Sequence, residues 1–188
     1  MKKEPKERFA SSLEELLRHK SFSKVSVSEL ADHCGLSRAT FYRNFSDKYD
    51  CMNWVYRSKI AEIISDNKEI SSWKSLVMQI MTFLWEKKLY FSNIAYYQDQ
   101  NSIMECIYDC GTTYAKNQIS ETLNGKEISE ELVYSIHMYI VGTISAIEHW
   151  LKEDEQKSPA WVSAIICDNV PLPISKYFKA DVGDSSSV

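Results

Sequence analysis

The sequence predicts an all-α protein, with an N-terminal three-helix helix-turn-helix domain followed by a larger C-terminal helical domain. The 188 residues include only 5 Gly and 4 Pro, and a chain with so few turn-forming residues favours long helices. Apolar side chains recur at helical spacing along the chain, and hydrophobic residues make up 44% of it, which is enough to bury a core. Together these observations predict about nine helices.

The expected domains differ in composition. Residues 1–50 hold the helix-turn-helix pattern, residues 51–180 hold the remaining helices, and the small polar residues 181–188 are expected to form a disordered tail. The formal net charge is −4, yet residues 1–50 carry 10 Lys or Arg against 8 Asp or Glu, whereas the rest carries 12 against 18. The N-terminal segment is therefore the basic end, although so small an excess does not identify a nucleic-acid-binding protein without a motif.

The five cysteines are odd in number, and none of them has the spacing of a zinc site. The first ten residues are charged and lack the apolar segment of a secretory signal. We therefore expect a cytoplasmic protein with free thiols, no metal and no cofactor.

Capping residues delimit the first helices. A stripe of apolar residues at helical spacing predicts a first helix over residues 7–19. Ser26 can cap a second helix in a capping box with the glutamate three residues later. Gly35 is expected to form the turn with a positive φ, and Ser37 to cap a third helix. A fourth helix begins after Ser46 or Asp47 and runs to about Ser65, and further helices are expected near residues 71–88, 90–99, 102–123, 128–152 and 159–179.

The third helix presents a polar face suited to double-stranded DNA. Its apolar residues are spaced to pack inward, so the opposite face stays free. Arginine can hold guanine O6 and N7, threonine can meet a thymine methyl group, and serine and tyrosine hydroxyls reach phosphate oxygens. A lysine in the first turn of the fourth helix is expected to anchor a phosphate together with the helix N–H groups. The predicted DNA-contacting residues are Ser26, Ser37, Arg38, Thr40, Tyr42, Arg43, Asn44 and Lys48.

The segment KVSVSELADHCGLSRATFYRNFSDKY, residues 24–49, resembles the TetR family of bacterial transcriptional regulators. The shared features are a V-S-x-x-x-L-A second helix, a G-L-S turn and a T-F-Y-x-x-F-x-x-K stretch that starts at Thr40. Residues 40–50, with Trp54 beyond them, resemble the subgroup of dihydroxyacetone-kinase-operon regulators. The resemblance implies a homodimer built on the last two helices and an inverted-repeat operator. It also implies an effector, either a small molecule or a protein, that acts by shifting the fourth helix.

A nearly uncharged stretch in the C-terminal domain indicates an interface. Residues 132–147 contain no Asp, Glu, Lys or Arg in 16 positions, so this helix needs cover on more than one side. The stretch is shorter than the roughly 18–20 residues that span a bilayer, and it contains a histidine and three hydroxyl residues. A helix between its own core and a partner subunit fits best, and Gly142 would allow close approach. Two such subunits would place recognition helices about 34 Å apart, in successive major grooves.

Two prolines depart from the family pattern. Pro171 and Pro173 stand where the last helix should continue, and proline inside a helix costs roughly 3 kcal/mol. We expect this helix to break near Asn169 and to restart at about Pro173.

Aromatic and methionine residues of the C-terminal domain could line an effector pocket, although most of them would equally suit an ordinary core. His137 stands out as a polar residue on an otherwise apolar helix, where a histidine is more often a core residue with a hydrogen-bond partner. The residues predicted to line the pocket are Met81, Trp85, Tyr97, Met104, Tyr108 and His137.

The sequence also bears on two function classes other than DNA binding. An enzyme is not expected, because the sequence has no glycine-rich phosphate loop, no G-x-S-x-G and no H-E-x-x-H, and its histidines do not cluster with carboxylates or cysteines. A helical adaptor or co-regulator that acts only through proteins remains the alternative. Repressors and activators share this architecture, so the sequence does not reveal the sign of regulation, the effector or the operator.

Overall fold

A computed structural model of the protein describes residues 4–65, 72–95, 101–124, 126–153 and 157–178. Within these ranges the chain forms ten α-helices and a short 3₁₀ turn at Phe22–Lys24, and no strand, so the prediction of an all-α fold is confirmed. The predicted tail at residues 181–188 lies outside the described residues. The helices are α1 (Pro5–Leu16), α2 (Val27–Cys34), α3 (Arg38–Asn44), α4 (Lys48–Ser65), α5 (Trp73–Glu86), α6 (Lys88–Ile94), α7 (Ile103–Thr122), α8 (Glu130–Lys152), α9 (Pro159–Asp168) and α10 (Leu172–Ser175).

The helix boundaries follow the capping residues. Helix α1 begins two residues earlier than expected, because Pro5 at its first position has the φ angle a helix needs and no N–H to leave unpaired. Ser37 accepts a hydrogen bond from the backbone N–H of Thr40, as predicted for the cap of α3. Asp47 accepts one from the backbone N–H of Asp50 and thereby caps α4. Local chemistry thus sets where the helices of the helix-turn-helix motif start.

Contacts along the chain divide it into two compact units, one from residues 1–59 and 87–106 and the other from residues 60–86 and 107–188. The first unit contains the helix-turn-helix together with α6. Its core is aromatic: the Phe9 ring meets the Phe41 ring edge-on at 5.1 Å and the Phe45 ring at 6.3 Å, and all three side chains are buried. Helix α1 therefore packs on α3 through this cluster, and it also contacts α2.

Helix α6 belongs to the first unit, although it follows α5 in the chain. The hydroxyl of Tyr90 donates to the backbone carbonyl of Met52 at 3.0 Å inside the core, and burial raises the pKa of this phenol well above its usual value. At the surface, Lys87 donates to the carboxylate of Glu14 at 2.5 Å. These contacts attach the segment around α6 to α1 and to the start of α4.

The second unit is held together by α5, α8 and α9. The Trp73 ring stacks on Phe178, with ring centres 4.5 Å apart, and on Tyr114, with ring centres 5.9 Å apart. The Tyr139 hydroxyl donates to the carbonyl of Ile166 at 2.9 Å and accepts from the Trp73 indole N–H at 3.2 Å, so its polar atom is satisfied inside the core. Burial raises the pKa of Tyr139, because the core disfavours the charged phenolate.

The predicted break in the last helix is confirmed. Helix α9 ends at Asp168, and a separate short helix, α10, starts at Leu172 directly after Pro171. A proline ring cannot continue a helix, because it lacks the N–H and collides with the preceding turn. The break adds a tenth helix to the nine expected.

None of the helices in the described part of the chain is both long and apolar enough to cross a membrane.

Candidate nucleic-acid interface

Helix α3 presents the polar face that the sequence predicts. Gly35 ends α2 in the left-handed region, at φ +64°, and this turn sets the direction in which α3 leaves. Phe41 is fully buried, which fixes the rotation of α3 about its axis. Arg38, Tyr42 and Arg43 are exposed as a result, with 53% of Tyr42 accessible.

Three polar residues of this face form a chain of hydrogen bonds. The hydroxyls of Ser37 and Thr40 lie 2.9 Å apart, and a guanidinium N–H of Arg43 donates to the Thr40 hydroxyl at 3.0 Å. These bonds run along one side of α3 and hold Arg43 in place before any ligand arrives. An arginine held in this way loses less conformational entropy when it binds a base or a phosphate.

Arg38, Tyr42 and Asn44 complete the face. The Arg38 side chain is exposed and has no hydrogen-bond partner among the residues described. The Tyr42 ring packs edge-on against Phe41 at 5.5 Å, while about half of the side chain stays exposed. Asn44 is half-buried, and its amide N–H donates to the carbonyl of Thr40 at 2.8 Å, which leaves its side-chain oxygen to accept. The structure therefore brings six of the eight predicted contact residues together on or beside α3.

Ser26 and Lys48 have other partners within the first unit. The Ser26 hydroxyl accepts from the backbone N–H of Glu29 at 3.2 Å, as a helix cap does. The ammonium group of Lys48 donates to three backbone carbonyls, those of Phe22 at 3.1 Å, Ser23 at 3.3 Å and Val25 at 3.0 Å. It also lies 4.7 Å from the centre of the Phe22 ring, a cation–π contact. Its three N–H donors are thereby matched by carbonyls, and its predicted phosphate contact remains a prediction.

The helix-turn-helix motif is held in place by two cationic side chains. The sequence had not indicated a structural role for either of them. Arg8 of α1 donates to the carbonyl of Cys34, at the end of α2, at 2.5 Å. Lys20 pairs with Glu29 in the first turn of α2, and its hydrogen bond lowers the pKa of that carboxyl. For Arg8, the signal in the sequence was that the last carbonyls of a helix need partners, which does not say which distant cation supplies them.

Two of the six residues predicted to line an effector pocket lie together. Tyr108 and His137 are joined by a hydrogen bond of 3.0 Å between the phenol oxygen and Nδ1, and both line a surface cavity of about 290 Å³. Met81 is buried in the core of the second unit, and Trp85 stacks on Trp150 at 5.6 Å, so neither of them lines this cavity. Met104 belongs to the first unit, and Tyr97 lies outside the described residues.

Helices α8 and α9 expose an apolar face, which we call the α8–α9 face. Its exposed members are Tyr134, Met138, Val141, Trp161 and Ile165, and 71% of the Met138 side chain is accessible. A groove of about 440 Å³ runs along it, lined by Met138, Gly142, Ala146, Ile165 and Pro171 among others. Apart from the neighbouring residues and backbone of its own helix, no atom of the described residues lies within 4 Å of a Cβ placed on Gly142. Contiguous apolar surface of this kind is typical of an interaction site.

Two protein families match the chain. Residues 11–54 match the family described as "Bacterial regulatory proteins, tetR family", and these residues include α2 and α3. Residues 71–170, more than half of the chain, match the family described as "Transcriptional regulator C-terminal region".

One curated relative is the HTH-type dhaKLM operon transcriptional activator DhaS of Lactococcus lactis, which is 24% identical over 85 residues. The alignment covers 45% of this chain and 46% of the relative, so the chain spans about half the length of that protein.

Two solved structures share the fold. The dihydroxyacetone kinase operon activator DhaS aligns with a TM-score of 0.66 and 16% identity, over 93% of this chain and 98% of the other. FadR of Thermus thermophilus, a TetR-family transcriptional repressor in complex with lauroyl-CoA, aligns with a TM-score of 0.56 and 14% identity, over 87% and 91% of the two chains.

Proposed function

Because this chain belongs to the TetR family of bacterial transcriptional regulators, we propose that it is a cytoplasmic, dimeric, sequence-specific DNA-binding regulator that responds to a small-molecule or protein effector. The observation that carries the proposal is the exposed polar face of α3, from Ser37 to Asn44, held in position by the buried Phe41. The free thiols of all five cysteines fit a reducing compartment.

The α3 face supports two kinds of DNA contact. Arg38 and Arg43 can each hold guanine O6 and N7 in a bidentate contact, and the Thr40 methyl group can meet a thymine. The hydroxyls of Tyr42 and Ser26, and the side-chain amide of Asn44, suit phosphate oxygens. The hydrogen-bond chain from Ser37 to Arg43 would reduce the freedom that Arg43 has to lose on binding.

The α8–α9 face supports a dimer. One α3 helix alone makes few base contacts, so a specific site needs two of them related by a two-fold axis. The occupant we propose for this face is a second copy of the chain. The exposed apolar side chains would be covered by their own equivalents, and Gly142 would let two α8 helices approach closely.

The proposal does not include a sign of regulation. One of the similar proteins is named an activator of the dhaKLM operon and another a TetR-family repressor. By analogy with the activator DhaS, the first DNA to test for binding is the control region of an operon for dihydroxyacetone phosphorylation.

The proposal is tested by measuring binding of the purified chain to DNA that flanks its own gene, with footprinting to locate the site. Wild-type protein should protect an inverted repeat, and Arg38→Ala should weaken specific binding by roughly 1–3 kcal/mol per lost base contact. Lys126→Ala removes the same charge from an exposed position in the C-terminal half and serves as the matched control. Equal binding of a genomic site by wild type and Arg38→Ala would contradict the assignment of the reading face.

The salt dependence of the affinity for duplex DNA distinguishes a DNA-binding regulator from a helical adaptor. Phosphate contacts make affinity for random duplex DNA fall steeply as salt rises. A chain with no affinity for duplex DNA at low salt would favour the adaptor.

A further inference from the structure

Thr40 lies at the centre of the hydrogen bonds on the polar face of α3. Its backbone N–H donates to the Ser37 hydroxyl oxygen at 3.0 Å, and the hydroxyl oxygens of the two residues are 2.9 Å apart. The Thr40 hydroxyl also accepts from a guanidinium N–H of Arg43 at 3.0 Å, and the Thr40 carbonyl accepts from the Asn44 amide at 2.8 Å. Thr40 is therefore bonded to three other residues of the face.

The bond to Thr40 sets where the guanidinium group of Arg43 lies. Arg43 is the last residue but one of α3, which ends at Asn44. Side chains on a helix lean toward its N-terminus. The hydrogen bond to a residue three positions earlier holds the Arg43 guanidinium beside the preceding turn. The charge of Arg43 is thereby placed near the middle of α3 instead of past its end.

This placement decides which part of a duplex the Arg43 guanidinium would meet. The N-terminal residues of a recognition helix contact base edges, whereas the C-terminal end of the corresponding helix contacts the sugar-phosphate backbone in homeodomains. Phosphate contacts fix the orientation of a protein on DNA but carry no sequence information. An arginine held back along the helix therefore suits a base, whereas the same arginine, extended past the helix end, suits a phosphate.

The bond to Thr40 leaves Arg43 able to hold guanine through two hydrogen bonds. A guanidinium group carries its N–H donors in a fixed planar arrangement. Two pairs of them can grip two acceptors at once: Nε–H with one hydrogen of Nη2, and one hydrogen of Nη1 with the other hydrogen of Nη2. The Thr40 oxygen occupies a single hydrogen of Nη2. One complete pair is therefore left for guanine O6 and N7.

Arg38 differs from Arg43 on the same face. Its side chain is exposed and has no hydrogen bond or ion pair among the residues that the structure describes. Thr40 therefore does not orient Arg38. A substitution at Thr40 should affect the base that faces Arg43 and spare the base that faces Arg38.

We propose that Thr40 is a positioning residue that directs Arg43 to a guanine, and that it thereby determines one base pair in each half of the DNA site. The Thr40 hydroxyl acts through Arg43 and does not itself contact that guanine. Without the hydroxyl, Arg43 is free to extend to a phosphate, so affinity is largely kept while the choice of guanine is lost. This inference rests on the proposed function, because it needs a chain that binds duplex DNA.

The test is selection of bound sequences from a pool of random-sequence duplexes, followed by titration of the selected duplex and its single-base-pair variants. Wild type should select a guanine that Arg43→Ala no longer selects, and should prefer it to adenine by about tenfold. Thr40→Val keeps the shape of the side chain and should lose that preference, whereas Thr40→Ser keeps the hydroxyl and should retain it. Thr113→Val, at an exposed position of α7, is the matched control and should behave as wild type.

Further variants separate positioning from direct contact and from loss of structure. Adding Thr40→Val to Arg43→Ala should change the preference at that base pair by less than about twofold, because Thr40 acts through Arg43. Additive losses would mean that Thr40 contacts the base itself, and would overturn the inference. Thr40→Ala removes the hydroxyl in favour of a residue with high helix propensity, and should lose the same preference.

The salt dependence of binding gives a readout that a damaged helix would not produce. Thr40→Val should bind random duplex DNA at least as tightly as wild type. Its affinity should fall more steeply with salt, with the log–log slope larger by about one, because Arg43 gains a phosphate contact. An unfolded α3 would instead weaken binding to every sequence.

The outcomes separate this inference from the proposed function. If Thr40→Val and Thr40→Ala keep the full preference for guanine, the role of Thr40 is overturned and DNA binding by the chain is unaffected. If Arg43→Ala still selects every base that wild type selects, the reading of guanine by Arg43 is overturned. A wild-type chain that enriches no sequence from the pool contradicts the proposed function itself, and the inference falls with it.

Discussion

The side-chain amide of Asn93 in α6 donates to the backbone carbonyl of Leu17, just past the end of α1, at 3.0 Å. The same NH₂ group donates to the carbonyl of Lys20 at 3.0 Å, and the amide oxygen accepts from the backbone N–H of Phe22 at 3.1 Å. One side chain therefore satisfies three backbone groups in the connection between α1 and α2. These groups would otherwise lie half-buried without partners, which is unfavourable.

Asn93→Leu should destabilise the helix-turn-helix unit by about 1–3 kcal/mol, because three backbone groups lose their partner at once. The expected local result is faster hydrogen exchange at the Phe22 amide, which donates to Asn93 in the native protein. Asn117→Leu, at an exposed position of α7, is the control and should change stability by less than about 0.5 kcal/mol. Unchanged exchange at Phe22 would show that α6 does not hold this connection.

Lys48→Met should lower the free energy of unfolding by about 1–3 kcal/mol, because three carbonyls and an aromatic ring lose their cationic partner. Affinity for DNA should fall for all sequences, because the segment before α2 loses the side chain that anchors its carbonyls. The salt dependence of binding should stay the same, since the substitution removes no phosphate contact. Urea unfolding and DNA titrations at several salt concentrations measure the two effects. A salt slope reduced by about one, with stability intact, would instead support the phosphate contact predicted from the sequence.

Met138→Lys should dissociate the proposed dimer. The substitution places a charge at the centre of the α8–α9 face, where 71% of the methionine side chain is accessible in the single chain. Burying an unpaired lysine in an interface is strongly unfavourable, so sedimentation should show a shift from dimer to monomer and a loss of affinity for the inverted repeat. The matched substitution Gln118→Lys, on the polar part of α7, should leave the protein sedimenting as a dimer, as the wild type is expected to do. A wild-type chain that sediments as a monomer would remove the basis of this prediction.

Thr112→Val should stabilise the protein. The substitution removes a buried hydroxyl that has no partner, and the cost of such a group is about 1–3 kcal/mol. For a chain of this length each kcal/mol raises the melting temperature by roughly 2–4 °C. Differential scanning calorimetry in chloride buffer measures the change. A lower melting temperature would mean that the hydroxyl has a stabilising partner in solution.

Several features of the fold were predictable because they depend on neighbours in the sequence. Ser37 and Ser26 cap helices through N–H groups three residues away, and Gly35 ends α2 at the left-handed φ that glycine adopts without strain. The break before Pro171 follows from the proline ring alone. The polar face of α3 was predictable for the same reason, since a buried Phe41 leaves one side of a short helix exposed.

The lining of the cavity between α7 and α8 was predictable only in part. Composition shows that the C-terminal unit is rich in aromatic and methionine residues, but not which of them reach a cavity. Tyr108 and His137 are brought together by the packing of α7 against α8, whereas Met81 points into the core and Trp85 stacks on Trp150. The direction of each side chain depends on how a helix is rotated against neighbours that are distant in sequence.

By itself the sequence determined the helices, their caps and the helix-turn-helix motif, because each of these depends on residues within one or two turns of one another. Only the tertiary structure decided what Lys48 and Asn93 do, since the backbone groups they satisfy lie up to 26 and 76 residues away. It also decided that Thr112 is buried without a partner, because that depends on how closely α8 covers α7. Helix formation is local, whereas the satisfaction of buried polar groups depends on the three-dimensional packing of the whole unit.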